Sequence, residues 1–116
     1  MKLPTIRRRP LAEHAHEHPA ARLQATWHGT VIADSEHTIL LEGQHYFPSE
    51  DVSRDYLADS EEHSTCPWKG EASYYDVVVD GERNPAAAWT YPAPSAAASE
   101  IRDRVAFWKG VEVGPA

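Results

Sequence analysis

Ala72-Ser73-Tyr74-Tyr75-Asp76-Val77-Val78-Val79-Asp80-Gly81 reads as a strand that runs into a tight turn. Tyr74, Asp76 and Val78 fall on one side of an extended chain, and Tyr75, Val77 and Val79 on the other. Aromatic and β-branched residues suit that pleated surface. Asp80-Gly81 supplies the positive-φ pair that a two-residue hairpin demands. A return strand is therefore expected over residues 86–91, carrying Trp89. Pro92 and Pro94 close it, because proline has no N–H to give to a ladder.

The same grammar extends outward. Leu23, Ala25 and Trp27 alternate with Arg22, Gln24 and Thr26, the pattern of a half-buried strand. His28-Gly29 breaks the run and Thr30-Val31-Ile32-Ala33 resumes it. Asp34-Ser35-Glu36-His37 is a turn cluster, and Thr38-Ile39-Leu40-Leu41 follows. Gly43 punctuates before His45-Tyr46-Phe47, and Pro48 ends that strand. Ser49-Glu50-Asp51 caps a short helix with Val52, Tyr56 and Leu57 inward. Asp59, Glu61 and Glu62 read as an acidic, solvated connection. Ser95 or Ser99 starts a helical turn through Ile101, and residues 105–108 and 111–113 read as terminal strands. The expectation is an all-β antiparallel domain over residues 21–116, with helix confined to short pieces near 50–58 and 95–103. No internal repeat is visible.

At 116 residues, 41% of them hydrophobic, the chain suits one small globular domain. The net charge is -7, and residues 1–20 hold four basic side chains against Glu13 and Glu17, so the remainder carries -9. An acidic body repels phosphate backbones, so no nucleic-acid partner is expected. No apolar run approaches the roughly 20 residues of a membrane-spanning helix. Nor does an apolar stretch follow Arg7, Arg8 and Arg9, so neither a membrane partner nor a secretory signal is expected. A single cysteine, Cys66, forms no internal disulfide and fits a cytoplasmic setting.

Residues 1–20, with three prolines and the alternating His14, His16 and His18, read as a flexible N-terminal arm. Imidazoles suit zinc, copper or nickel, but an ordered site also needs supporting hydrogen bonds. No resident metal or cofactor is expected.

Thr65-Cys66-Pro67-Trp68-Lys69-Gly70-Glu71-Ala72-Ser73-Tyr74-Tyr75 gathers the thiol, an ammonium and aromatic faces on one turn. Pro67 and Gly70 shape that turn. Cys66 is either a small buried hydrophobe or, with its pKa lowered by Lys69 or a histidine, a nucleophile. Lys69 is either a solvated charge or an anion-binding group. Tyr46, Trp68, Tyr74, Trp89 and Tyr91 each stand beside a turn or polar residue. Aromatics of this kind build either core or cleft. In a cleft they need a few convergent polar groups, which Glu42, Asp51 and Lys69 can supply.

The Thr65–Tyr74 stretch resembles the signature of domain of unknown function 427, a mainly bacterial family. Val31-Ile32-Ala33-Asp34-Ser35, Tyr46-Phe47-Pro48-Ser49-Glu50-Asp51-Val52, Ala88-Trp89-Thr90-Tyr91-Pro92 and Val105-Ala106-Phe107-Trp108 fit its other blocks in order. The resemblance runs from about Leu23 to Val113. It implies a β-tent-like fold of two antiparallel sheets meeting at an angle. Zinc-pinned β-tent proteins, such as methionine sulfoxide reductases and thalidomide-binding domains, use paired Cys-x-x-Cys ligands, which one cysteine cannot provide. The family is also labelled nucleotidyltransferase-like, yet no Gly-rich phosphate loop or acidic triad stands out.

Two readings of function stay open. One is a module, monomeric or weakly dimeric, that binds a small molecule or a chain end in an aromatic cleft. Its candidate residues are Tyr46, Cys66, Trp68, Lys69, Tyr74 and Trp89. The other is a thiol-dependent or transferase-type enzyme using Cys66, or carboxylates, with Lys69.

Overall fold

A computed structural model describes residues 22–116 and, as backbone, residues 15–17. The expected flexible arm, with His14 and His18, lies outside the described residues apart from β1 (Ala15–Glu17), which pairs with β4.

Tight turns set the architecture. β2 (Leu23–Trp27) turns at His28-Gly29 into β3 (Thr30–Ser35), and β10 (Glu112–Pro115) returns along the other edge of β2. β4 (Ile39–Leu41) turns at Glu42-Gly43 into β5 (Gln44–Tyr46). β6 (Leu57–Cys66), β7 (Gly70–Val79), β8 (Glu82–Thr90) and β9 (Val105–Phe107) form a four-stranded sheet in that order. At His28-Gly29, Glu42-Gly43 and Asp80-Gly81 both residues have positive φ, between 52° and 80°. That backbone twist matches the twist of the strands it joins.

The described residues are all-β with antiparallel strands, as expected, and these strands fall into three sheets rather than two. The division is slight. One bridge, in which Phe47 and Val105 exchange N–H···O bonds of 2.8 and 2.9 Å, carries the β4–β5 hairpin onto β9. Among the described residues helix is confined to 3-10 turns at Ser49–Asp51, Arg54–Tyr56 and Ala96–Ile101. Val52 is extended and bridges Ala33, so the helix expected through Val52 and Leu57 is two turns instead.

The acidic connection is a correction. Asp59, Glu61 and Glu62 lie in β6, an edge strand of ten residues. Their side chains face water at an edge, where charge discourages pairing with another chain. The register slips between Asp59 and His63, so periodicity there is blurred.

Both faces of the large sheet are covered. Phe47, Val77, Val79, Ala88, Val105 and Phe107 pack in one core. Tyr46, Ala72, Tyr91 and Ala106 pack in a second, with Tyr74 and Trp89 against it. Neighbours in sequence thus enter opposite cores, as a period of two requires.

Asp76 organises a bulge in β8. Its Oδ1 accepts the Ala86 N–H at 2.8 Å and its Oδ2 accepts from Arg83. Ala86 has φ 53°, and the β7–β8 register shifts there. Burial pushes the Asp76 carboxyl up, but these bonds outweigh it and hold the group below 3.8. Arg22 and Gln24 likewise hold Asp34 at about 2. A depressed carboxylate stabilises the fold above its unfolded value, and that share is lost as pH falls through the folded value. Acid denaturation is therefore expected to begin below about pH 3.8, the ordinary value of both groups. In thermal melts stepped down in pH, Asp76→Asn should start less stable and show a shallower acid loss than the parent. Parallel curves would remove Asp76 from this account.

Candidate functional site

One hairpin tip meets another to make the site. The Pro67-Trp68-Lys69 turn between β6 and β7 is clasped by the segment after β8. There the Ser95 N–H donates to the Lys69 carbonyl at 2.9 Å, and Ser95 Oγ donates to the Trp68 carbonyl at 2.6 Å. Gly70, at φ 119°, lets that segment pass; a Cβ there would stand 3.3 Å from the Ala93 carbonyl oxygen.

Opposite lies Glu42, at φ 53° on the tip of the β4–β5 hairpin. The Lys69 ammonium donates to Glu42 Oε1, and Trp68 Nε1 donates to Glu42 Oε2 at 3.2 Å. Lys69 is 8% exposed, an unusual burial for lysine, with Nζ 5.5 Å from the Trp68 ring centroid and 5.6 Å from that of Tyr91. A buried ammonium tolerates this position when a carboxylate and ring faces replace its water.

Between the tips is a cavity of about 170 Å³ lined by Leu41, Glu42, Gln44, Tyr46, Lys69, Tyr74, Trp89, Tyr91 and Trp108. Its aromatic walls are interlocked. Trp89 Nε1 donates to the Tyr46 hydroxyl at 3.2 Å, and the two rings meet nearly edge to face at 88°. Trp108 stands across Trp89 at 5.6 Å and 76°, pinned by a 2.6 Å bond from its Nε1 to the Ala86 carbonyl. The β8 bulge thus turns a carbonyl outward to hold one wall. Tyr74 is fixed at its hydroxyl by Ser64 Oγ, 2.8 Å away.

Burial governs the charges. It pulls the Lys69 ammonium down, but the Glu42 hydrogen bond and the neighbouring phenols outweigh it, and the net direction is up. Burial pushes Tyr46 up, and pushes Tyr91 to about 12 against the pull of Lys69. At neutral pH Lys69 is therefore charged and both phenols keep their protons. The pocket offers ammonium and hydroxyl donors on aromatic walls, with one carboxylate at the tip.

Of the residues singled out in the sequence, Tyr46, Lys69, Tyr74 and Trp89 come together around this cavity. Trp68 and Cys66 are not among its lining residues. Trp68 supports Lys69 and Glu42 from beside the cavity, and Cys66 is half-buried against the second core. Tyr91, one of the five aromatics, and Glu42, one of the convergent polar groups, are in the wall; Asp51 is not, since it lies in the 3-10 turn at Ser49–Asp51. Leu41, Gln44 and Trp108 were missed. The Glu-Gly pair at 42–43 was the available signal for Gln44, because a two-residue hairpin puts its flanking residues side by side.

Among the described residues no three His, Cys, Asp or Glu side chains group where they could hold a metal ion. Among the described residues no helix is long and apolar enough to cross a membrane. Residues 15–114 match the family described as domain of unknown function (DUF427), and the chain belongs to it. No match was found among curated proteins.

Proposed function

We propose that this member of the DUF427 family is a binding module whose aromatic cavity takes a small molecule, or the end of a chain, bearing an anionic or carbonyl group. The observation that carries this reading is the convergence of a buried, charged lysine and five aromatic side chains on one open cavity. An ammonium in the wall of an open aromatic cavity is placed to donate to a ligand oxygen. A volume near 170 Å³ suits roughly one six-membered ring, since benzene occupies an engineered cavity of similar size. Lys69 already sets its positive charge against Tyr91 and Trp68, which disfavours a cationic guest. The net charge of -7 and the lone cysteine support a cytoplasmic protein, monomeric or weakly dimeric, that binds neither nucleic acid nor membrane.

The rival reading gives Cys66 or a carboxylate a catalytic role beside Lys69. A protonated Lys69 is a poor base or nucleophile, and Cys66 packs with the second core. Ligand-observed NMR with a set of ring-sized acids, amides and amines tests the proposal. Hits should be lost with Lys69→Met and weakened roughly ten- to a hundred-fold by Trp89→Ala, while circular dichroism shows the fold intact. Cys66→Ser should bind within about twofold of the parent, a change worth under 1 kcal/mol. Turnover of any hit that disappears with Cys66→Ser would favour the thiol enzyme.

A further inference from the structure

We propose that the ligand of this cavity is a neutral, ring-sized molecule presenting a carbonyl oxygen, and that the Tyr46 and Tyr91 hydroxyls donate to that oxygen together. This deepens the binding reading above and rests on it, taking the carbonyl over the anion.

Two phenol protons in the wall lack acceptors. Tyr46 and Tyr91 both line the cavity, 1% and 6% exposed, with ring centroids 6.5 Å apart. The Tyr46 oxygen accepts the Trp89 indole N–H at 3.2 Å, a bond that uses a lone pair and leaves the phenol proton to give. Among the described residues no acceptor meets that proton, and none bonds the Tyr91 hydroxyl. Among the same residues, Thr90 Oγ1 is the one side-chain polar atom both sealed from solvent and unbonded. The Tyr91 oxygen therefore reaches open space, and the space that Tyr91 lines is the cavity. A buried donor without an acceptor costs stability, and buried tyrosine hydroxyls usually find a partner. An oxygen brought by a ligand supplies it.

The donors suit a carbonyl. Burial keeps both phenols protonated, while the nearby Lys69 charge pulls against that rise in each. The ammonium thus makes both protons more readily shared without removing them. A carbonyl oxygen has two lone pairs and answers two such donors. Charge then selects a neutral body. The Lys69 ammonium already touches the Glu42 carboxylate, so an anionic guest would set a second negative charge against Glu42 where little water screens it. A cationic guest would meet Lys69 itself. A carbonyl takes the same two hydrogen bonds and brings no net charge, and the rest of the ring packs on Trp89 and Trp108 in the same wall.

Benzamide, benzoate and benzylamine are titrated at neutral pH into the parent, Tyr46→Phe and Tyr91→Phe by isothermal titration calorimetry, and each protein is also melted without ligand. Benzamide should bind the parent roughly tenfold or more tightly than benzoate, and benzylamine should not bind. Each phenylalanine variant should weaken benzamide roughly five- to tenfold, the scale of one hydrogen bond. Tyr91→Phe is the decisive variant, because it keeps the ring and removes a hydroxyl that has no bond to lose among the described residues. Without ligand it should melt no lower than the parent, whereas a tyrosine with only a structural role would melt lower. Tyr46→Phe also forfeits the Trp89 bond and should melt lower. Benzoate binding more tightly than benzamide would overturn the neutral ligand while leaving the cavity as a binding site. Unchanged benzamide affinity in Tyr91→Phe would overturn the paired hydroxyls. Absence of binding by all three probes to the parent would remove the binding reading itself.

Discussion

Phe47→Ala is expected to lower stability by about 3–5 kcal/mol, the usual cost of truncating a fully buried phenylalanine. Phe47 has no exposed surface, and its ring meets Phe107 nearly edge to face at 5.7 Å. Its backbone exchanges the two hydrogen bonds with Val105 that join the small β4–β5 hairpin to the large sheet. Deletion of the ring loses its transfer energy and leaves a gap that β9 and β3 cannot close without breaking that bridge. Phe47→Leu should cost less than about 1.5 kcal/mol if the core repacks. Urea denaturation monitored by tryptophan fluorescence measures both. A loss below about 1 kcal/mol for the alanine variant would mean that the joint is not held by this ring. The consequence reaches the cavity as well, because Tyr46 precedes Phe47 and Glu42 lies on the same hairpin. Binding through Lys69 should weaken together with stability.

The strands that alternate strongly were legible in the sequence. Asp80-Gly81 joins β7 and β8 as its turn chemistry required, and Leu23, Ala25 and Trp27 lie in a strand of the expected bounds. β6 was not legible, because serine, aspartate and glutamate carry little β preference and its edge position leaves them solvated. Tertiary pairing with β7 makes that strand, and no local pattern encodes it. The cavity shows the same division. Lys69 and Trp89 stood out as unusual residues near turns, yet Trp68 and Cys66 were grouped with them only by closeness in sequence. Residues one apart on a turn point to different places, so the spacing that unites a motif does not unite a pocket. Trp108 escaped notice because its role depends on the carbonyl of Ala86, exposed by a bulge that only long-range register creates.

Gly70→Ala is expected to destabilise the protein by about 2–4 kcal/mol and to weaken the site further than stability alone predicts. At φ 119° a residue with a Cβ is strained whatever surrounds it, at a cost of about 1–3 kcal/mol. The new methyl would also press on the Ala93 carbonyl oxygen at 3.3 Å and the Pro94 Cα at 3.4 Å. Those are backbone atoms of the segment that clasps the Lys69 turn, so relief of the contact means moving Ser95 away from the Lys69 and Trp68 carbonyls. Either response shifts Lys69 against Glu42. Gly29, which also has positive φ but meets nothing within 4 Å, is the control: Gly29→Asn should cost little, since asparagine accepts that backbone and the space is open. Thermal melts and benzamide titration of the two variants separate backbone strain from the clasp. If Gly70→Ala melts within about 2 °C of the parent, a shift worth well under 1 kcal/mol, the turn has more room than its geometry indicates. In that case the positioning of Lys69 must come from the Glu42 side alone.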